Sequence, residues 1–101
     1  MSDENIVLNV HMRAVPGRER ELESELRALL VPTREERGCL AYELHRDRED
    51  PHKFMFYEKF ESQAALDAHV QSPHFQKFLA YRAASSDPVA VADVTRWSVI
   101  A

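Results

Sequence analysis

Residues 52–75, HKFMFYEKFESQAALDAHVQSPHF, hold a strand, a capped helix and the start of a second helix in one run. Side chains alternate along a strand. Over residues 53–60 this puts Phe54, Phe56 and Phe60 on one face and Met55 and Tyr57 on the other. The strand is therefore apolar on both sides, and Glu58 is the one carboxylate, sharing a face with Phe56 and Phe60. Ser62 suits the N-cap of a helix over 63–71, because its hydroxyl can accept from a first-turn N–H that has no helical partner. His69 follows Leu66 by three positions and precedes Val70, so it falls on that helix's apolar stripe. Ser72-Pro73 opens another helix, with proline where a missing N–H costs nothing. Phe75, Phe78 and Leu79 form its expected buried stripe. An acid and an imidazole among these aromatics point to a pocket as well as a core.

Working outward, residues 39–47 (CLAYELHRD) alternate again, with Leu40, Tyr42 and Leu44 opposite Ala41, Glu43 and His45. The polar turn at 48–51 joins this strand to 53–60 as an antiparallel hairpin. Residues 5–13 read as a strand with Ile6, Leu8, Val10 and Met12 on one face and Val7, Asn9 and His11 on the other. Pro16-Gly17 ends it. Leu22, Leu26, Leu29 and Leu30 mark a helix over 18–31. Pro32 is expected to kink or end that helix, which resumes through Arg37 and stops at Gly38. Residues 89–100 form the last strand. The order strand, helix, strand, strand, helices, strand is the split βαβ plan of an α+β, ferredoxin-like protomer, a single domain over 1–101. The first and third strands are central in that plan, and they are the most apolar here.

A chain of 101 residues rarely covers both faces of a sheet by itself. Helices cover one face; the apolar residues on the other face call for a second copy, so a homodimer with two-fold symmetry is expected. A net charge of −4 with no basic face argues against nucleic acid. Arg18-Glu19-Arg20-Glu21 and Arg34-Glu35-Glu36-Arg37 read as solvated helix faces. The one cysteine, Cys39, excludes an internal disulfide, fits a reducing cytoplasm and is by default a small buried hydrophobe. The start MSDENIVLNV has no basic segment of a signal peptide. No apolar run approaches the ~20 residues that span a membrane. The histidines His11, His45, His52, His69 and His74 sit on different elements without metal-ligand spacing, so no metal is expected.

The string Gly38-Cys39-Leu40, Tyr42-Glu43-Leu44-His45, Phe56-Tyr57-Glu58, Ser62 to His69 and Ser72-Pro73-His74-Phe75 resembles the antibiotic biosynthesis monooxygenase (ABM) family, its quinol monooxygenase-like branch above all. The resemblance covers nearly the whole chain and is densest over 38–75. It implies a dimeric α/β barrel with a pocket in each subunit between sheet and helices. Some members oxygenate quinols or anthrone-like phenols without metal or flavin. Others isomerise a phosphorylated sugar derivative, and others degrade haem. Many members carry Trp where this chain has Phe60. Leu79 stands near the position of the haem-ligating histidine, which argues against haem cleavage.

The expected activity is then a cofactor-independent monooxygenase that takes a quinol or related phenol and dioxygen. Such a reaction needs a base, because the phenol must lose a proton before it can reduce dioxygen. His69 and Glu58 are the catalytic candidates, His69 because an imidazole titrates near neutrality. The plainer reading is a core histidine bonded to a backbone carbonyl or to Glu58, with Glu58 paired to Arg82, Arg96 or the partner chain. Phe56, Phe60, Phe75, Phe78 and His74 are candidate substrate contacts. Asn9 and Tyr57 join them, although their place on the other sheet face suits the dimer interface better. Two other functions stay open: a proton-shuttling isomerase of a small phosphorylated metabolite, which would need Arg82 or Arg96 in the pocket, and a non-catalytic barrel that binds a hydrophobic metabolite.

Overall fold

A computed structural model of the chain describes residues 5–84 and 86–101; the acidic start at 1–4 lies outside the described residues. The elements run β1 (Ile6–Ala14), α1 (Glu19–Arg27), α2 (Leu30–Arg34), β2 (Cys39–Arg46), β3 (Lys53–Phe60), α3 (Gln63–Val70), α4 (Pro73–Ala83) and β4 (Val89–Ser98). The strands form one antiparallel sheet in the order β2-β3-β1-β4. β3 and β1 are central, as the two most apolar strands should be. This is the α+β ferredoxin-like plan.

The serines act as their positions predict. Ser62 Oγ accepts from the Ala65 amide at 3.1 Å. Ser72 Oγ accepts from the Phe75 amide at 3.3 Å and also donates to the His69 carbonyl at 2.6 Å. One hydroxyl thus closes α3 and opens α4, which fixes the angle between them.

Three local expectations need correction. The first helix breaks after Arg27, not at Pro32, and does not continue to Arg37. Pro32 lies in the first turn of α2, where an amide would have no helical partner, so it is tolerated there. Gly38 is not a left-handed helix stop, since Gly17 alone among the described glycines has positive φ, at 87°. A Cβ on Gly38 would lie 2.3 Å from Ala65 Cβ. Close approach to α3, not backbone freedom, is what needs glycine there. Leu40 does not share a face with Tyr42. The β2–β3 register slips between Cys39 and Ala41, and the extra residue turns Leu40 outward.

The helices cover β1, β2 and β3. Leu22, Leu26 and Leu29 pack with Tyr42, Phe54, Phe56 and Phe78. Leu8, Phe60 and Leu66 form a second cluster beside them. Each large apolar side chain so buried contributes roughly 1.5–3 kcal/mol. Leu79, expected in the buried stripe of α4, is 38 % exposed. β4 is exposed after Val89, so the layer of helices stops short of it and leaves a gap.

Candidate active site: the cavity between the sheet and α3–α4

That gap is a cavity of about 250 Å³. β1 supplies Leu8 and Val10 to its floor, β3 supplies Phe56 and Glu58, and β4 supplies Val94 and Arg96. Leu66 and His69 come from α3, and Phe75, Phe78 and Leu79 from α4. The lining is mainly apolar, so the few polar groups that reach it dominate its chemistry.

Glu58 is 5 % exposed and has no hydrogen bond or ion pair among the described residues. Arg82, a partner considered for it, instead grips Asp87 through Nε and Nη2, at 2.9 Å for the shorter contact to Oδ2. Burial disfavours the charged carboxylate, and the charge of Glu36 disfavours it further, so the carboxyl is pushed up from 4.5 to about 7.

His69 is 2 % exposed. Its ring sits 4.9 Å from that of Phe75, 5.1 Å from Phe60 and 5.6 Å from Tyr42, centre to centre. Nδ1 lies 2.9 Å from Glu36 Oε2, and His74 Nε2 lies 2.5 Å from the same oxygen. An ionised carboxylate only accepts, so both ring nitrogens donate. Neutral His69 then keeps a free lone pair on Nε2. Burial lowers its pKa, outweighing the opposing pull of Glu36.

Glu36 is the residue that sequence reasoning missed. Its place in Arg34-Glu35-Glu36-Arg37 suggested a solvated face, yet it holds two histidines. The available signal was Gly38. The tight contact of Gly38 with Ala65 draws the end of the preceding turn onto α3. His69 is one helical turn beyond Ala65. Two of the five histidines, placed on separate elements by the sequence, therefore meet one carboxylate. The three ligand atoms lie within 4.8 Å of one another, so this trio could also ligate a divalent ion, provided each imidazole carried its proton on its other ring nitrogen.

Of the other sequence candidates, Phe56, Phe75 and Phe78 line the cavity. Phe60 is buried behind His69 rather than on the cavity wall. His74 approaches through Glu36. Asn9 and Tyr57 are cross-strand partners on the opposite face of the sheet, and neither lines the cavity. Cys39 packs under the sheet edge with its thiol pushed up by burial, and it donates weakly to the Ala41 carbonyl at 3.6 Å.

Fold and cavity together define a small ferredoxin-like protein with a mainly apolar pocket that bears one oriented imidazole and one acid without a partner among the described residues. The family model for antibiotic biosynthesis monooxygenase matches residues 5–81, and the chain belongs to that family. It is 38 % identical over 80 residues to a Mycobacterium tuberculosis protein named "Putative monooxygenase Rv0793", covering 75 % of each chain. It is 31 % identical over 78 residues to an uncharacterised Synechocystis protein, covering 77 % of this chain but only 53 % of that longer one. The crystal structure of PA3566 from Pseudomonas aeruginosa superposes with a TM-score of 0.91 at 35 % identity, over 100 % of this chain and 99 % of that one.

Proposed function

We propose that this chain is a cofactor-independent monooxygenase acting on a quinol or a related phenol. The observation that carries the reading is that Glu58, a carboxyl with no partner among the described residues, and His69, whose Nε2 is left free, line one mainly apolar cavity. In this mechanism His69 Nε2 takes the phenolic proton. The imidazolium so formed is stabilised by Glu36, which already accepts from Nδ1. The electron-rich phenolate reduces dioxygen. One oxygen atom enters the ring and the other leaves as water, and the quinol supplies all four electrons as it becomes a hydroxyquinone. Glu58, near half protonated at neutrality, returns a proton to the oxygen that departs. Phe56, Phe75 and Phe78 hold the ring and keep water out. His74 and Phe60 position His69.

The active unit in this reading is a homodimer in the cytoplasm. A second copy covers the sheet face that carries Asn9 and Tyr57, and the lone free cysteine suits a reducing compartment. No helix among the described residues is long and apolar enough to cross a membrane.

One observation favours a second reading. Arg82 and Arg96 both line the cavity, as an isomerase of a phosphorylated metabolite would require. Oxygen uptake by metal-free protein with menadiol separates the two. Uptake that falls in His69→Ala supports the monooxygenase. Equal uptake in both proteins removes the base. No uptake with any quinol, together with tight binding of a small aromatic, leaves a metabolite-binding barrel.

A further inference from the structure

Arg96 has no hydrogen bond or ion pair among the described residues, although it stands at the rim of the cavity. The sheet register fixes its relation to Glu58. Leu8 pairs with Glu58 on one side and with Arg96 on the other. The two ionisable residues therefore flank Leu8 on the same face, two strand spacings apart, or about 10 Å between Cα atoms. Leu8 lies between them, and Val10 and Val94, in the neighbouring row of the same face, continue the floor. The remaining charged groups of the cavity are occupied: Arg82 is held by Asp87, and Asp67 accepts from Gln63 Nε2 at 2.8 Å. A guanidinium without a partner at one end and a carboxyl without a partner at the other bracket an apolar strip.

We infer that the cavity selects a hydroxyaryl carboxylic acid, with the phenol at Glu58 and His69, the ring over Leu8 and Val10, and the carboxylate on the Arg96 guanidinium. This rests on reading the cavity as the ligand site, and it adds which ligands that site prefers. A planar guanidinium matches a carboxylate through two parallel hydrogen bonds. The apolar strip excludes a small polyanion that lacks a ring. A neutral phenol fills the strip but leaves Arg96 unused.

Equilibrium binding tests this without turnover. The full chain is titrated with 2-naphthol, 6-hydroxy-2-naphthoate and 2-naphthyl phosphate at neutral pH, following the fluorescence of the ligands. The hydroxy acid is expected to bind about tenfold more tightly than 2-naphthol, the usual worth of one charge-assisted contact. Arg96→Gln abolishes that difference without changing 2-naphthol affinity, and Arg96→Lys keeps part of it. High salt shrinks it in the native protein, since Arg96 is exposed. Equal affinity for 2-naphthol and the hydroxy acid overturns the carboxylate handle while leaving the cavity as a phenol site. Tighter binding of the phosphate than of the hydroxy acid overturns the carboxylate assignment in favour of a phosphorylated ligand. Failure of all three to bind overturns both this inference and the cavity reading beneath it.

Discussion

Glu58 and His69 share a cavity but respond to pH in opposite senses. The Glu58 carboxyl is raised from 4.5 to about 7, so between these values the folded chain holds a proton that the unfolded chain has released. Stability then falls as pH rises through that window and stays lower above it, by about 3 kcal/mol on the scale of 1.36 kcal/mol per unit. His69 is lowered, so the unfolded chain takes up a proton first as pH falls through 6.5, and stability drops toward acid. The two slopes partly cancel in the native protein. Glu58→Gln is expected to remove the alkaline loss and unmask the rise due to His69, so the variant is more stable than the native chain under mildly alkaline conditions. Urea unfolding across pH checks this; a native and a Glu58→Gln profile of the same shape would show that Glu58 ionises freely in the fold. In the oxygenation assay Glu58→Gln and His69→Ala should each lower kcat by ~10²–10⁴, the usual worth of a positioned acid or base.

At the scale of the elements, Gly38 joins fold to site. Gly38→Ala puts a methyl 2.3 Å from Ala65 Cβ, so β2 or α3 must shift. A cost of about 1–3 kcal/mol is expected, as for other overpacked interiors. The same shift draws Glu36 away from His69, so activity should fall further than the lost stability explains. Adding Ala65→Gly restores the space and should recover most of both; a double variant no better than Gly38→Ala would rule out the clash as the cause. The sequence showed the elements well because their signals are local. Phe54 to Phe60 alternate, Ser62 and Ser72 cap, and the leucines of 18–31 keep helical spacing. It misplaced Leu40 because one extra residue in β2 reverses alternation without a local mark. It mistook Glu36 for a solvated residue because its partners lie 33 and 38 positions away. His69 and Glu58 stood out by being polar on apolar faces, whereas Glu36 is polar among polar neighbours and gains its role only from the packing of Gly38 on Ala65.

At the scale of the whole molecule, the helices leave one broad surface uncovered. Val7 and Trp97 pair across β1 and β4 on the sheet face opposite the cavity, and Asn9 with Tyr57 continues that face across β3. Trp97 is 58 % exposed, its indole N–H donating to Thr95 Oγ1 at 3.1 Å. Val91 is exposed on the same face. A patch of this kind is costly in water, and it is the surface that the proposed second copy would cover. β4 is also an edge strand, with no further strand beside it among the described residues. A second copy laid on this face would cover Trp97 and Tyr57 together. Trp97 is the only tryptophan of the chain, so its emission reports on that cover directly. Dilution from the micromolar range is expected to shift the emission to the red as subunits separate. Trp97→Glu should sediment as a lone subunit at concentrations where the native chain pairs, because a buried unpaired carboxylate costs several kcal/mol. The cavity lies on the other face, so Trp97→Glu should still bind 2-naphthol if each subunit encloses its own pocket. Emission that is independent of concentration, in a native chain that sediments as one subunit, would mean that the sheet face tolerates water and that no second copy is needed to complete the fold.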